Sequence, residues 1–271
     1  MKVRLISAFV ALVIGVLVLF FLPTPVFYIA ISLLSGLGGY ELVRLAKNDC
    51  HRSQLIAAVV TAAAAPLCGL FDRLIAASLL LLLFGLFLVL TQVLRHTQLV
   101  TVTAYVFFVT LYAAFTFFCV GVLRGRENGL YYVVFTLVIP WLSDTFAYFT
   151  GTFFGKHKMC PAISPKKTWE GFAGGWFFGV LASIGATYLY WWIAAGDVSG
   201  VILWQVALTA LIISPISVMG DLFASVIKRQ YNAKDLGNIM PGHGGVMDRF
   251  DSVCLAAPVM LILVQLLPLV A

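Results

Sequence analysis

Nine times along this chain an apolar run of about 20 residues is closed off by charged residues or proline, and that recurrence restricts what the chain can become. A helix of about 20 apolar residues matches the hydrocarbon thickness of a bilayer. Within lipid every backbone N–H and C=O must find a partner in the protein, which leaves helices and closed β-barrels as spanning structures. The runs do not alternate polar and apolar residues at period two, so a barrel fits poorly. The expectation is an all-α, polytopic integral membrane protein with spans at about 5–22, 26–44, 54–71, 74–94, 101–122, 130–151, 171–194, 201–219 and 252–270. Pro23 and Pro25, the polar run KNDCHRS beginning at Lys47, and Asp72-Arg73 punctuate the first boundaries.

Composition agrees with this reading. The chain is 62% hydrophobic and 10% charged, with a mean hydropathy of +1.04, whereas soluble domains carry roughly 25% charged residues. The N-terminal stretch MKVRLISAFVALVIGVLVLFFLP has the basic start and apolar run of a signal peptide. It lacks a small-x-small cleavage site and another span follows at once, so a retained first helix is expected. Cys50, Cys68, Cys119, Cys160 and Cys254 are scattered without a CxxC pair and read as small packing residues, not a disulfide frame or a zinc site. No internal repeat stands out.

The cations set the orientation. With the N-terminus in the cytoplasm, 14 of the 17 Lys and Arg fall on the inner side and only Arg73, Arg124 and Arg126 fall outside. This is the positive-inside bias, and an error of one span would scramble it. Residues 1–125 then form an N-terminal block of about five spans, and 126–271 a C-terminal catalytic region with two long cytoplasmic loops, 152–170 and 220–251. A net charge of +6 is explained by this placement, and no nucleic-acid partner is expected.

Four of the eleven acids stand at the cytoplasmic ends of spans: Asp144 in WLSDTFAYF, Asp221 after Gly220, and Asp248 and Asp251 in DRFD. Asp248 and Asp251, three apart, share a face if helical. An ionised Asp near lipid is costly unless paired, so one reading has each Asp matched to Arg249, Arg229 or a Lys. The other is a site for a hard cation, built from carboxylates without a His/Cys cluster and suited to Mg²⁺. Mg²⁺ usually arrives with a phosphate, and Lys and Arg interleaved with the acids suit phosphate. In PGHGG the glycines around His243 could bring backbone N–H groups to phosphate oxygens, although such a run is more often a turn. The loop GKHKMCPAISPKKTWEG reads either as a phosphate site or as an interfacial loop resting on anionic headgroups.

Residues 225–251, SVIKRQYNAKDLGNIMPGHGGVMDRFD, closely resemble the signature of the CDP-diacylglycerol synthases, also called phosphatidate cytidylyltransferases. The match includes Ser225, Lys228, Arg229, Lys234, Asp235, Gly237, Pro241, His243, Gly244, Gly245, Asp248, Arg249 and Asp251. Two neighbouring blocks, GDLFASVIKR and GKHKMCPAISPKKTWEGFAGG, are similar to the same family, and the dense resemblance covers about 141–255. Met240 stands where Leu, Ile or Phe is usual. Phe146 replaces a small residue near Asp144, which would narrow the site there.

The resemblance implies transfer of a cytidylyl group from CTP to phosphatidate, giving CDP-diacylglycerol and pyrophosphate. It implies a catalytic set of Asp221, Lys228 and Asp248, with Asp221 and Asp248 as principal metal ligands and Asp144 and Asp251 supporting them. Ser225, Arg229, Lys234, His243, Gly244, Gly245, Arg249, Lys166 and Lys167 would bind substrate. The cofactor would be Mg²⁺, alone or with a second cation, in a chain that could form a homodimer among membrane lipids. The setting would be a bacterial inner membrane with the site facing the cytoplasm. CDP-alcohol phosphotransferases have acids spaced as in DRFD, but their DG-x2-AR start is missing here. A CTP-dependent enzyme acting on another lipid phosphate or a polyprenol is a nearer alternative. A membrane transporter would want acids at mid-bilayer and paired broken helices, and neither pattern is present.

Overall fold

The structure is a computed structural model that describes residues 2–46, 49–70, 74–95, 100–239, 242 and 244–270. Lys47, Asp72, Arg73, Met240, Pro241 and His243, which carry expectations above, lie outside the described residues.

Among the described residues the apolar runs form nine α-helices: α1 (Lys2–Val16), α2 (Thr24–Arg44), α3 (Arg52–Leu70), α4 (Leu74–Arg95), α5 (Val100–Arg124), α6 (Gly129–Phe154), α7 (Trp169–Ala195), α8 (Leu203–Gln230) and α9 (Met247–Leu266). Among the described residues eight of these, α2 to α9, are long and apolar enough to cross a membrane. The first adds a shorter apolar stretch, Phe9–Phe21, whose final turn, Leu17–Phe21, is π-helical. This is an all-α, polytopic integral membrane protein. Many large apolar side chains face outward, among them Ile75, Leu94, Phe153 and Ile193, as lipid-facing positions should.

Two stretches expected as loops contain regular structure. Helix α8 does not end near 219 but runs on to Gln230. Its last turns keep a buried stripe, Gly220, Ala224 and Ile227, at the helical spacing of three and four. Lys228 and Arg229 fall in its last turn, where cations complement the negative end of the helix dipole. Likewise α9 begins at Met247, so DRFD lies in its first turns with Asp248 at the end that favours an acid. A hydropathy reading stops where charge begins, but a helix does not.

Between α6 and α7 the chain forms an antiparallel hairpin, β1 (Lys158–Cys160) and β2 (Ser164–Thr168), pairing Lys158 with Thr168 and Cys160 with Ser164. Its turn is closed by Ile163 N–H donating to Cys160 C=O at 3.1 Å, with Pro161 at the position where its fixed φ suits a turn.

The chain divides into two compact units, Met1–Glu127 with Gln230–Phe250, and Asn128–Arg229 with Asp251–Ala271. In the first, α2, α3 and α5 pack together with α4 beside α3 and α5. Interhelical hydrogen bonds reinforce the packing, as small and polar residues do in membrane bundles. Ser35 Oγ donates to Ala62 C=O at 2.6 Å, Tyr28 OH to Gly121 C=O at 2.7 Å and Tyr105 OH to Leu42 C=O at 2.9 Å. In the second unit α6 and α7 make the most extensive pairing, along a seam where the glycines of GFAGG face Ser143, Ala147 and Gly151. Trp176 Nε1 ties α7 to α8 by donating to Leu211 C=O at 2.9 Å. All five cysteines are free thiols, Cys119 and Cys254 buried, in keeping with packing roles.

Candidate active site

The second unit gathers polar groups on α6, β2, α8 and, at Asp251 and Ser252, α9. At Gly220 a Cβ would lie 2.5 Å from Asp251 C=O, so only glycine lets α8 approach α9 this closely. That approach brings Asp221 and Asp251 near enough for their charges to interact. Asp144 on α6 is near enough to Asp221 for their charges to interact. Ser252 Oγ donates to Asp144 Oδ2 at 3.3 Å and lies 3.4 Å from Asp251 Oδ1, while Ser252 N–H donates to that same oxygen at 2.8 Å.

Lys167 Nζ pairs with Asp221 Oδ2 at 2.6 Å, and the Lys228 charge acts on Asp251. Arg229, which could have paired with an acid, instead donates from Nε to Ile163 C=O at 3.3 Å, tying the hairpin turn to α8. Three carboxylates therefore share a small region whose closest ion pair is Lys167 with Asp221. Such a set repels itself unless a cation or protons neutralise it.

Beside this cluster lies a cavity of about 460 Å³ lined by Asp144, Lys158, Lys166, Lys167 and Ser164 together with apolar Phe172 and Val218. The Phe146 ring packs on Phe178 at 6.0 Å between centroids. The cationic strand is held in place by a residue that the sequence reading passed over. Glu170, in the first turn of α7, accepts from Lys156 N–H at 3.1 Å and pairs with His157 Nδ1 at 2.5 Å. Thr168 caps the same helix by accepting from Gly171 N–H at 3.1 Å.

The first unit holds the remaining signature residues. Asp248 is buried, and its Oδ2 accepts from Leu236 N–H at 2.8 Å and Gly245 N–H at 2.9 Å. A carboxylate has about four acceptor sites, so bracing the loop and coordinating a cation are compatible. Gly244 turns the chain at a φ of +86°, a backbone region that disfavours any side chain. Lys234 and Arg249 are exposed and Gly245 is buried. A second carboxylate, Glu41 of α2, reaches the same loop, accepting from Val246 N–H and Met247 N–H at 2.9 Å each. Nothing in its own surroundings, YELVR, advertises this role.

No three His, Cys, Asp or Glu side chains among the described residues are arranged to hold a metal ion by themselves. Mg²⁺ commonly takes one or two carboxylates and completes its shell with waters and substrate phosphates. The all-oxygen donor set and its crowded negative charge fit such an ion.

The apolar helices define an integral membrane protein, and in its second unit carboxylates and lysines gather beside one cavity. A sequence model of the cytidylyltransferase family matches residues 2–267, and the chain belongs to that family. It is 41% identical over 143 residues to a phosphatidate cytidylyltransferase of Staphylococcus aureus (strain COL), covering 51% of this chain and 50% of that one. A protein of the same name from Staphylococcus saprophyticus subsp. saprophyticus is 40% identical over 138 residues, with the same coverage of 51% and 50%. The chain thus spans about half the length of the curated relatives it matches.

Proposed function

We propose that this chain transfers the cytidylyl group of CTP to phosphatidate, releasing pyrophosphate and leaving CDP-diacylglycerol in the membrane. The observation that carries the reading is the cluster of Asp144, Asp221 and Asp251, with Lys167 paired to Asp221, beside a cavity lined by lysines and apolar side chains. A phosphate group on an apolar tail needs both kinds of wall. The family membership and the names of the relatives supply the cytidylyl donor and the lipid acceptor.

The chemistry needs little from a base. A phosphatidate oxygen, already anionic near neutral pH, forms a bond to the α-phosphorus of CTP while the bond to the β-phosphate oxygen breaks. Pyrophosphate leaves with the electron pair. The difficulty is to bring two polyanions together and to hold the charge on the leaving group. Lys166 and Lys167, with Lys158 on the adjacent strand, would screen the phosphates near the cavity, and Lys228, Arg229, Lys234 and Arg249 add positive charge. Ser225, Gly244, Gly245 and His243 would contribute hydrogen bonds to substrate. In the second unit Asp221 with Asp144 and Asp251 would hold Mg²⁺, alone or with a second cation, and bound Mg²⁺ would stabilise charge on the transferring and leaving phosphates; the family resemblance would make Asp248 a cation ligand as well. Lys167 would then exchange Asp221 for a phosphate oxygen. The cation distribution supports a site facing the cytoplasm of a bacterial inner membrane.

The test is purified protein with CTP labelled on the α-phosphate, phosphatidate and Mg²⁺. Label should enter the lipid fraction as CDP-diacylglycerol. CTP labelled on the γ-phosphate should leave the lipid unlabelled, and transfer of that label would establish a kinase instead. Turnover should vanish in EDTA and return with Mg²⁺ or Mn²⁺; full turnover with metal confirmed absent would remove the cation from the site.

A further inference from the structure

Glu41 is 1% exposed and lies about one turn from the end of α2, far in sequence from every signature residue. Its two oxygens divide their work. Oε1 accepts from Val246 N–H and Oε2 from Met247 N–H, both at 2.9 Å, across separations of 205 and 206 residues. These are N–H groups at the start of α9, where a helix has no internal partners for its first donors. Most helices meet that need with a local Ser, Thr, Asp or Asn. Here Val246 stands in that place and can offer no side-chain acceptor, so a carboxylate from another helix supplies the cap. Charge strengthens it, both through the hydrogen bonds and through the positive end of the α9 dipole.

The surroundings are cut to fit this side chain. A Cβ built on Gly237 or Gly245 would run into the Glu41 carboxylate, and one built on Gly38 would lie 2.6 Å from Met247 Sδ. Gly237, one of the residues matched in the signature, thus forms a wall of the Glu41 slot. Asp248 completes the arrangement by holding Leu236 and Gly245 through their N–H groups. Leu236 and residues 245–247 are therefore held by two carboxylates, one arriving from α2 and one from α9.

We propose that Glu41 is a positioning residue for the reaction: it sets the start of α9 and thereby the place of Asp248. It is not a catalytic residue, because both oxygens are on backbone N–H groups and the side chain is buried. The inference rests on the cytidylyltransferase reading, in which Asp248 holds a cation. A glutamine at this position keeps the size but has one acceptor oxygen, and its NH₂ group would face the second N–H donor.

The experiment uses the purified full chain and the substitutions Glu41→Gln, Glu41→Ala, Gly237→Ala and the double variant E41A/G237A. Hydrogen exchange without substrate reads the hold directly. In Glu41→Gln the amides of Val246 and Met247 should exchange about tenfold faster, while those of α5 stay unchanged. Turnover per folded molecule should fall on the order of 10–100-fold, with half-activation shifted to higher Mg²⁺, as when a partner that orients a metal ligand is lost. Gly237→Ala should move both readouts in the same direction, yet add nothing in the Glu41→Ala background, where the clash is gone. Unchanged exchange at Val246 and Met247 in Glu41→Gln would overturn the proposal. So would faster exchange with wild-type turnover and Mg²⁺ dependence, since Glu41 would then serve stability alone. Should the wild-type protein make no CDP-diacylglycerol, the cytidylyltransferase reading fails by itself, and the role in the reaction falls with it even if exchange shows the cap. If Glu41→Ala does not fold, Glu41→Gln and Gly237→Ala still decide the matter.

Discussion

Asp221, in the block GDLFASVIKR, and Asp248, in the signature, are engaged differently. Asp221 is balanced by Lys167 at 2.6 Å, whereas Asp248 accepts two backbone N–H groups. Asparagine at either position keeps shape and a carbonyl acceptor while removing the charge that a cation needs. At 248 that carbonyl can retain the bonds from Leu236 and Gly245, so the loop should hold. Turnover per folded molecule should fall on the order of 100-fold or more for both Asp221→Asn and Asp248→Asn. Their thermal midpoints in detergent should shift by only a few degrees. Asp197 provides the control. It sits beyond the end of α7, where the Ser199 hydroxyl and backbone N–H, at 2.6 and 2.8 Å, hold its carboxyl below the usual carboxylate range. Asp197→Asn should leave turnover unchanged. Near-normal specific activity in both site variants, with lowered yield, would return these acids to ion pairing. Both acids could be singled out in the sequence because they stand at the ends of spans, beside Lys228, Arg229 and the glycines. Ser252 and Glu170 could not, since a serine or glutamate at a span boundary is ordinary until its partner is known.

The pairing of α6 with α7 depends on what is absent from α7. A Cβ on Gly175 would lie 2.6 Å from both Ser143 C=O and the Ala147 Cβ, whereas Gly185 on the same helix has nothing within 4 Å. Alanine is the better helix former by about 1 kcal/mol, so Gly185→Ala should leave the thermal midpoint equal or slightly raised. Gly175→Ala should lower it, with the overpacking cost of about 1–3 kcal/mol outweighing the propensity gain. Scanning calorimetry or tryptophan fluorescence in detergent reads both. Equal effects would mean that the seam is not tight. The apolar spans were legible because hydropathy accumulates over 20 residues, and the eight candidate spans lie where it peaks. The hairpin and the tail of α8 were not, because charge hides them from hydropathy while backbone hydrogen bonding carries on through Lys158, Lys166 and Lys228.

For the molecule as a whole, orientation is the outstanding physical variable. The cation asymmetry predicts that a reporter fused after Lys158 reads the cytoplasm and one fused after Gly200 reads the opposite side. The same side for both would mean that α7 does not cross. The apolar spans and the family to which the chain belongs follow from information that is local in the chain: runs of apolar residues and one dense signature. The lipid environment makes this possible, because a segment without internal hydrogen bonds cannot exist there and its choices are few. Tertiary structure decided the rest. Glu41 caps a helix that begins 206 residues later, Ser252 links Asp144 to Asp251, and Arg229 holds a hairpin carbonyl instead of an acid. Each of these is a hydrogen bond between groups that any sequence contains in plenty. Which ones meet is settled only when the helices pack, since burial makes an unpaired polar group costly and rewards the partner that geometry brings within 3 Å or so.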